Sequence, residues 1–403
     1  MLKKIKFRFP EFGWVLALFF VLFFLLQLKN NRFEMNDFKV YYLGMQNLLN
    51  GDSIYRIPFG LDSGFYKYSP FALLPFVIFH YLPFLYAAII YYFIIATAIL
   101  FVLYKLFQLF NQVFSFNISK KSTILYLCTL ILLNHFYREL HLGNVNLLLL
   151  LLYIISLEKV FKNSRIFAGV LMGIGLLFKL HFIVLLPVLL LFKKFKTSFS
   201  MLITFLTGLF LPALFLGFNA NMSLLDAWFV TMEGHNSSIS TSADTVYAWI
   251  NRILSIGGMQ QQGILFSLVI LCILGIVFLG IIYKTKQSSS LDSDKKRFTF
   301  IYFLAIAVIP IITVTDSEHF LFSLPIVMLS LFLVFSLQSM SIIWKSILII
   351  AFIFYGGNWH DLWGHQISVF FTRNGFLGLG NMLLISFVVW AFLKPKKIQS
   401  KTE

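Results

Sequence analysis

The sequence predicts an all-α polytopic membrane protein, and three observations predict it. Of the 403 residues, 59% are hydrophobic and 12% charged, giving a mean hydropathy of +0.87. A soluble domain of this size has no use for so much apolar surface, whereas the bilayer is a solvent that tolerates it. The apolar residues form unbroken runs instead of alternating. Backbone in lipid must satisfy its own hydrogen bonds, so such runs are helices and not barrel strands. Finally, the basic residues fall in short stretches between the runs, as orientation signals do.

Taken in order, about twelve spans are expected, at roughly 12–28, 84–104, 122–137, 144–157, 166–178, 183–192, 198–217, 263–283, 298–314, 320–337, 342–357 and 376–393. The runs 144–157, 166–178 and 183–192 are short for a bilayer and need shielding by neighbouring helices. Pro70 to Pro83 is apolar but too short to cross alone, so it reads as a re-entrant or interfacial helix. Before it, Phe38, Tyr41, Tyr42, Met45, Leu48 and Leu49 recur at helical spacing. That is the pattern of an amphipathic helix at the interface, with Asn36 or Asp37 available to cap its start and Gly51 its end.

The chain then divides as one membrane domain over 1–403. It has a first span (12–28), an outer segment with interfacial and re-entrant helices (29–83) and central spans (84–217). A long outer loop (218–262), C-terminal spans (263–393) and a tail (394–403) follow. No cleavage site follows the basic N-terminus, so the first run reads as a retained span. The polar linker from Gln287 to Asp292 separates two parts of this domain, and no internal repeat is visible.

Charge orients these spans. With this assignment, 23 of the 32 Lys and Arg residues lie on one side and nine on the other, while eleven of the 16 acidic residues lie on the second side. Positive residues favour the cytoplasm, so both termini are expected there, in a cell membrane. The net charge of +16, spread in this way, points to the membrane and not to nucleic acid as partner. Cys128 and Cys272 both fall inside apolar runs and suggest neither a disulfide framework nor a metal site.

The same assignment gathers polar clusters at the non-cytoplasmic ends of the spans. They are Asp37, Tyr66-Lys67-Tyr68-Ser69-Pro70, the stretch Arg138 to Asn146, Lys179-Leu180-His181 and Asp316-Ser317-Glu318-His319, with Gly234 to Ser238 in the long loop. Polar groups at membrane depth are costly and mark functional sites. This set suits glycosyl transfer from a lipid phosphate. A carboxylate takes the proton of an acceptor hydroxyl, cations stabilise the leaving phosphate, and Asn, Tyr and His hold the sugar. No nucleotide-phosphate loop occurs among the glycines. Asp37 can serve as helix cap, as general base, or as both. Lys179 can snorkel or hold an anion, and Arg138 can pair with Glu139 or meet substrate. Asp316, Glu318 and His319 carry only a weak metal-site pattern, so no metal or other cofactor is expected.

The motifs have an order. Asp37 to Tyr42, Gly51 to Tyr55, Tyr66 to Phe71, Gly143-Asn144-Val145-Asn146, Ala168-Gly169 and Lys179 follow one another along the chain. In that order they resemble glycosyltransferase family 87, of the GT-C membrane glycosyltransferases. The resemblance implies a GT-C fold with the general base on Asp37. It further implies substrate contacts from Lys179, Asn146, Asn144, Tyr68 and Asn236, to which the polar clusters add Arg138 and His319 as candidates. By the same resemblance the donor is a polyprenyl-phosphate hexose, mannose-like, used with inversion on a lipid or glycan acceptor. Three positions depart from the family pattern: Asn144 stands for Gln, Leu180 for Pro, and His235-Asn236-Ser237 for Asn-Gln-Ser. The rival class is a transporter or lipid flippase, which needs polar groups at mid-span and on both faces.

Overall fold

A computed structural model describes residues 11–59, 64–116, 121–236, 242–259, 263–314, 316–337, 340–357 and 359–394. Among these residues the regular structure is helical and no strand occurs. Helix α1 (Glu11–Lys29) leads to α2 (Asn36–Asn50), a 3₁₀ segment (Pro70–Phe79) and the long α3 (Phe84–Phe114). Next come α4 (Lys121–Ile131), α5 (Leu133–Leu142), α6 (Asn146–Phe161), α7 (Arg165–Phe178), a 3₁₀ turn (Leu180–Val184), α8 (Leu185–Leu191) and α9 (Phe195–Phe210). Helices α10 (Ala213–Leu216), α11 (Phe218–Asn236), α12 (Val246–Ile256) and α13 (Ile264–Thr285) form the middle of the chain. The last part comprises α14 (Asp294–Ile312), a 3₁₀ turn (Ser317–Ser323), α15 (Leu324–Ser336), α16 (Ile342–Gly356), α17 (His360–Asn374) and α18 (Phe376–Leu393).

Six stretches are long and apolar enough to cross a membrane: Glu11–Lys29, Phe84–Phe114, Phe195–Leu216, Leu265–Thr285, Ser317–Ser336 and Phe376–Leu393. Helices α5 and α6 qualify together as a seventh, bent by 112°. The chain is thus a multi-pass membrane protein. Several of the twelve expected spans, 166–178 and 342–357 among them, are shorter apolar helices. The 298–314 run lies on α14, whose start carries the charged residues Asp294 to Arg297.

Packing explains the arrangement. Helix α1 buries one stripe, Phe12, Leu16, Phe20 and Phe24, while Trp14, Leu18, Leu22 and Leu25 face outward. An outward face that apolar is stable only against lipid. Helices α14 and α15 are the opposite case, buried on nearly every side. Tyr302 in α14 satisfies its hydroxyl on the Tyr153 carbonyl of α6 at 2.9 Å.

Helix α2 begins one residue earlier than its caps predict. Met35, in the left-handed conformation, occupies the N-cap position, so neither Asn36 nor Asp37 caps the helix. Gly51 closes it with φ of 76° as expected. The face formed by Phe38, Tyr41, Tyr42, Met45 and Leu48 is buried, in part against the 3₁₀ segment, while Leu49 is exposed.

Helices α7 and α9 approach most closely through two glycines four residues apart. A Cβ on Gly169 would stand 2.4 Å from the Thr197 carbonyl oxygen, and one on Gly173 would stand 2.6 Å from that of Met201. Small residues at this spacing let membrane helices meet backbone to backbone. Gly173→Leu should therefore force α7 and α9 apart, with a loss of stability on the order of 1–3 kcal/mol or more. The check is the melting temperature of the protein in detergent, which should fall, while Gly275→Leu on open space of α13 should leave it near wild type.

Candidate active site

The site grows from the bend between α5 and α6. Helix α5 ends at Gly143, whose φ of 73° turns the chain back. A Cβ there would also meet the Phe38 side chain at 2.8 Å, so the turn has room only for glycine. One turn before it, Glu139 is wholly buried. Its Oε1 accepts the Leu147 backbone N–H and its Oε2 accepts the Asn146 side-chain amide, both at 2.9 Å. A carboxylate on the first N–H groups of α6 satisfies orphan donors and complements the helix dipole.

Glu139 also sets Asn146. With Nδ2 given to Glu139, the amide turns Oδ1 outward, where it accepts from the Lys179 ammonium at 2.7 Å. Lys179 follows the last residue of α7 in extended conformation, so its side chain leaves the helix stripe and enters the bundle. The ammonium also lies within hydrogen-bonding reach of His319 Nε2, and 5.7 Å and 5.6 Å from the ring centres of Tyr68 and Phe322. His319 is itself held by its own turn, where Nδ1 accepts the Asp316 backbone N–H at 3.0 Å. Burial pulls the Lys179 ammonium down to about 8, against the opposing charges of Glu139, Glu318 and Asp37.

Asp37 is held by a second short chain. The Asn144 Oδ1 accepts the Val145 backbone N–H at 2.7 Å, which leaves Nδ2 to donate to Asp37 Oδ2 at 2.6 Å. Asp37 lies in the first turn of α2 and directs its carboxylate to Asn144 instead of capping the helix. Burial, with the charge of Glu318, raises its carboxyl to about 7; Lys179 and the Asn144 bond act in the other direction. The group is thus poised to exchange a proton near neutrality.

These groups face one cavity of about 310 Å³. Asp37, Asn144, Lys179, Tyr68, Arg138 and His319 all line it. Asn146 stands behind Lys179, and the side chain of Asn236, at the end of α11, lies outside the described residues. Arg138 does not pair with Glu139: its Nε meets Glu318 at 3.2 Å, because Glu139 is already committed to α6. Glu318 is thereby taken by Arg138, and among the described residues Asp316, Glu318 and His319 do not form a three-ligand group. Glu139 as an organiser escaped the sequence because its partners lie across a bend. Tyr41, hydroxyl to hydroxyl with Tyr68 at 3.3 Å, and Trp228, whose indole N–H donates to the Lys67 carbonyl at 3.1 Å, are further walls that hydropathy does not single out.

Comparison with protein families gives a match. The model of a family described as Glycosyltransferase family 87 matches residues 65–310, more than half of the chain. The matched stretch contains Tyr68, Arg138, Glu139, Asn144, Asn146 and Lys179; Asp37 and His319 lie on either side of it. No curated protein matches the chain. From the geometry, Asn144→Ala should remove a hydrogen bond that favours the charged form of Asp37. The Asp37 titration midpoint should then move up from about 7. Infrared titration of the carboxyl band checks this; a midpoint unchanged or lower would contradict it.

Proposed function

The chain belongs to glycosyltransferase family 87 and is a membrane glycosyltransferase, and we propose that it moves a hexose, mannose-like, from a polyprenyl-phosphate donor to a lipid or glycan acceptor. The membership sets aside the transporter alternative. One observation supports the rest most directly: a carboxylate near its own pKa, Asp37, shares one cavity with a buried ammonium, Lys179.

In the proposed reaction Asp37 accepts the proton of the acceptor hydroxyl as that oxygen attacks the anomeric carbon. The bond from that carbon to the phosphate oxygen breaks on the opposite side, so the configuration inverts. The electron pair leaves with the phosphate, and the polyprenyl phosphate departs with one more negative charge. Lys179, fixed by Asn146, supports that charge in a site of low dielectric, where a preorganised cation counts most. Tyr68, Asn144 and His319 face the sugar in this scheme, and Arg138 stands at the cavity edge. The reaction takes place at the non-cytoplasmic face, with both termini cytoplasmic, in a GT-C arrangement. No step in this scheme calls for a metal.

A second, apolar cavity of about 220 Å³ supports a lipid-borne donor. It lies between the Pro70–Phe79 segment and helices α3, α6 and α7, with Phe76, Ile94, Leu148 and Ile174 in its walls. Phe178 lines both cavities, and the next residue is Lys179. A phosphate at Lys179 therefore leaves its prenyl chain next to an apolar channel.

Asp37→Asn should lower transfer roughly 10²–10⁴-fold, the usual worth of a general base, with purified protein still binding donor; full activity in that variant would sink the assignment. The wild-type rate should rise with pH through about 7, as Asp37 ionises, and fall above about 8, as Lys179 loses its proton. A profile flat from pH 6 to pH 9 would contradict both roles. Ile174→Trp should slow transfer from a long-chain donor about tenfold yet spare a ten-carbon prenyl-phosphate hexose, whose chain is too short to need the channel; equal effects on the two donors would refute that placement.

A further inference from the structure

A second polar cavity, of about 280 Å³, adjoins the first and is formed by other parts of the chain. Arg138 and Asp316 line both. Its far wall is built from the segment before α12, from α16 and α17, and from the start of α18. None of the polar groups named for the reaction lies on that wall.

The wall is held in place by backbone interactions. Asp244 gives Oδ1 to the Gly378 N–H at 3.0 Å, and Arg252 donates to the carbonyl oxygens of Ala243, at 2.6 Å, and of Asn374. Gly378 is required at this contact, since a Cβ there would run into the Asp244 backbone. No hydrogen bond to Asp244 Oδ2 occurs among the described residues, and the Arg252 charge acts on the carboxylate. Also in the lining are Thr372, whose hydroxyl donates to the Ser368 carbonyl at 3.0 Å, His360, and the rings of Phe354 and Phe371, which meet edge to face at 5.8 Å.

We infer that this second cavity is the acceptor subsite, taking a neutral, hydroxyl-rich sugar residue whose reacting hydroxyl reaches Asp37 past Arg138 and Asp316. Three features select that class. A carboxylate with an open oxygen accepts from hydroxyls, and bonds to a charged acceptor are the stronger kind. Aromatic faces cover the apolar C–H side of a sugar ring. Two carboxylates, Asp244 and Asp316, repel a phosphate, and the Arg138 charge is partly offset by Glu318, which its Nε meets. The donor phosphate is thereby kept to the Lys179 side. This inference rests on the proposed transfer for the direction of the reaction, while its test needs no donor.

The test is isothermal titration of the full-length protein in nanodiscs with octyl α-mannoside and octyl β-glucoside, and with octane-1,2-diol to report the alkyl chain alone. The wild type should bind at least one glycoside more tightly than the diol. Asp244→Asn, which keeps the oxygen that accepts from Gly378, should weaken that binding about tenfold. Thr372→Trp, which fills the cavity from an exposed position, should do the same and guards against a folding defect in the first variant. No preference for glycoside over diol, or unchanged affinity in both cavity variants, would each overturn the subsite. Failure of transfer from polyprenyl-phosphate donors, with glycoside binding intact, would instead count against the donor assignment.

Discussion

An ammonium buried among helices must find partners there, and the arrangement of this site follows from how Lys179 finds them. Removing an amine from water costs several kcal/mol unless acceptors and opposite charges replace its hydration. Asn146 supplies an acceptor, His319 lies in hydrogen-bonding reach, two aromatic rings supply their faces, and Glu139 supplies charge one residue removed. Each of these partners carries a structural requirement. Asn146 must present its oxygen, so Glu139 must hold its nitrogen. Glu139 must reach the first turn of α6, so α5 and α6 must meet at a sharp bend, and Gly143 makes the bend possible.

The same bend places Asn144 against Asp37. One backbone turn thus positions both halves of the proposed chemistry, a proton acceptor and a cation. Their fields act on each other: the positive charge of Lys179 restrains the rise of Asp37, and the carboxylates restrain the fall of Lys179. Burial thus raises the Asp37 carboxyl and lowers the Lys179 ammonium, and the opposite charges hold both shifts in check. Coupling of this kind makes the cavity sensitive to residues that touch no substrate, Glu139 first among them.

Much of this was legible in the sequence. The apolar runs mark the helices, and Gly51 marks the end of α2, because those features are local. The family pattern runs through Tyr68, Asn144, Asn146 and Lys179, and charge asymmetry sets these residues on one side with His319; all of them meet at the cavity or directly behind it. What was not legible depends on distance across the fold. Arg138 and Glu139 are neighbours that read as a pair or as a substrate contact, yet they point to different elements and serve different partners. Asp37 reads as cap, base or both from its position; Met35 takes the cap, and the carboxylate meets Asn144, 107 residues away. Span counting is the other limit, since hydropathy does not separate a helix shielded by protein from one long enough to cross a membrane.

Because Glu139 is argued to act through Lys179, the two should be coupled in function. The most direct measurement is a double-mutant cycle on transfer from a polyprenyl-phosphate hexose, with Glu139→Gln, Lys179→Met and the pair. Coupling through Asn146 predicts that Glu139→Gln slows the wild type but adds almost nothing once Lys179 is methionine. Losses that simply multiply in the double variant would show that Glu139 does not work through the ammonium, and would contradict the relay on which the site is built.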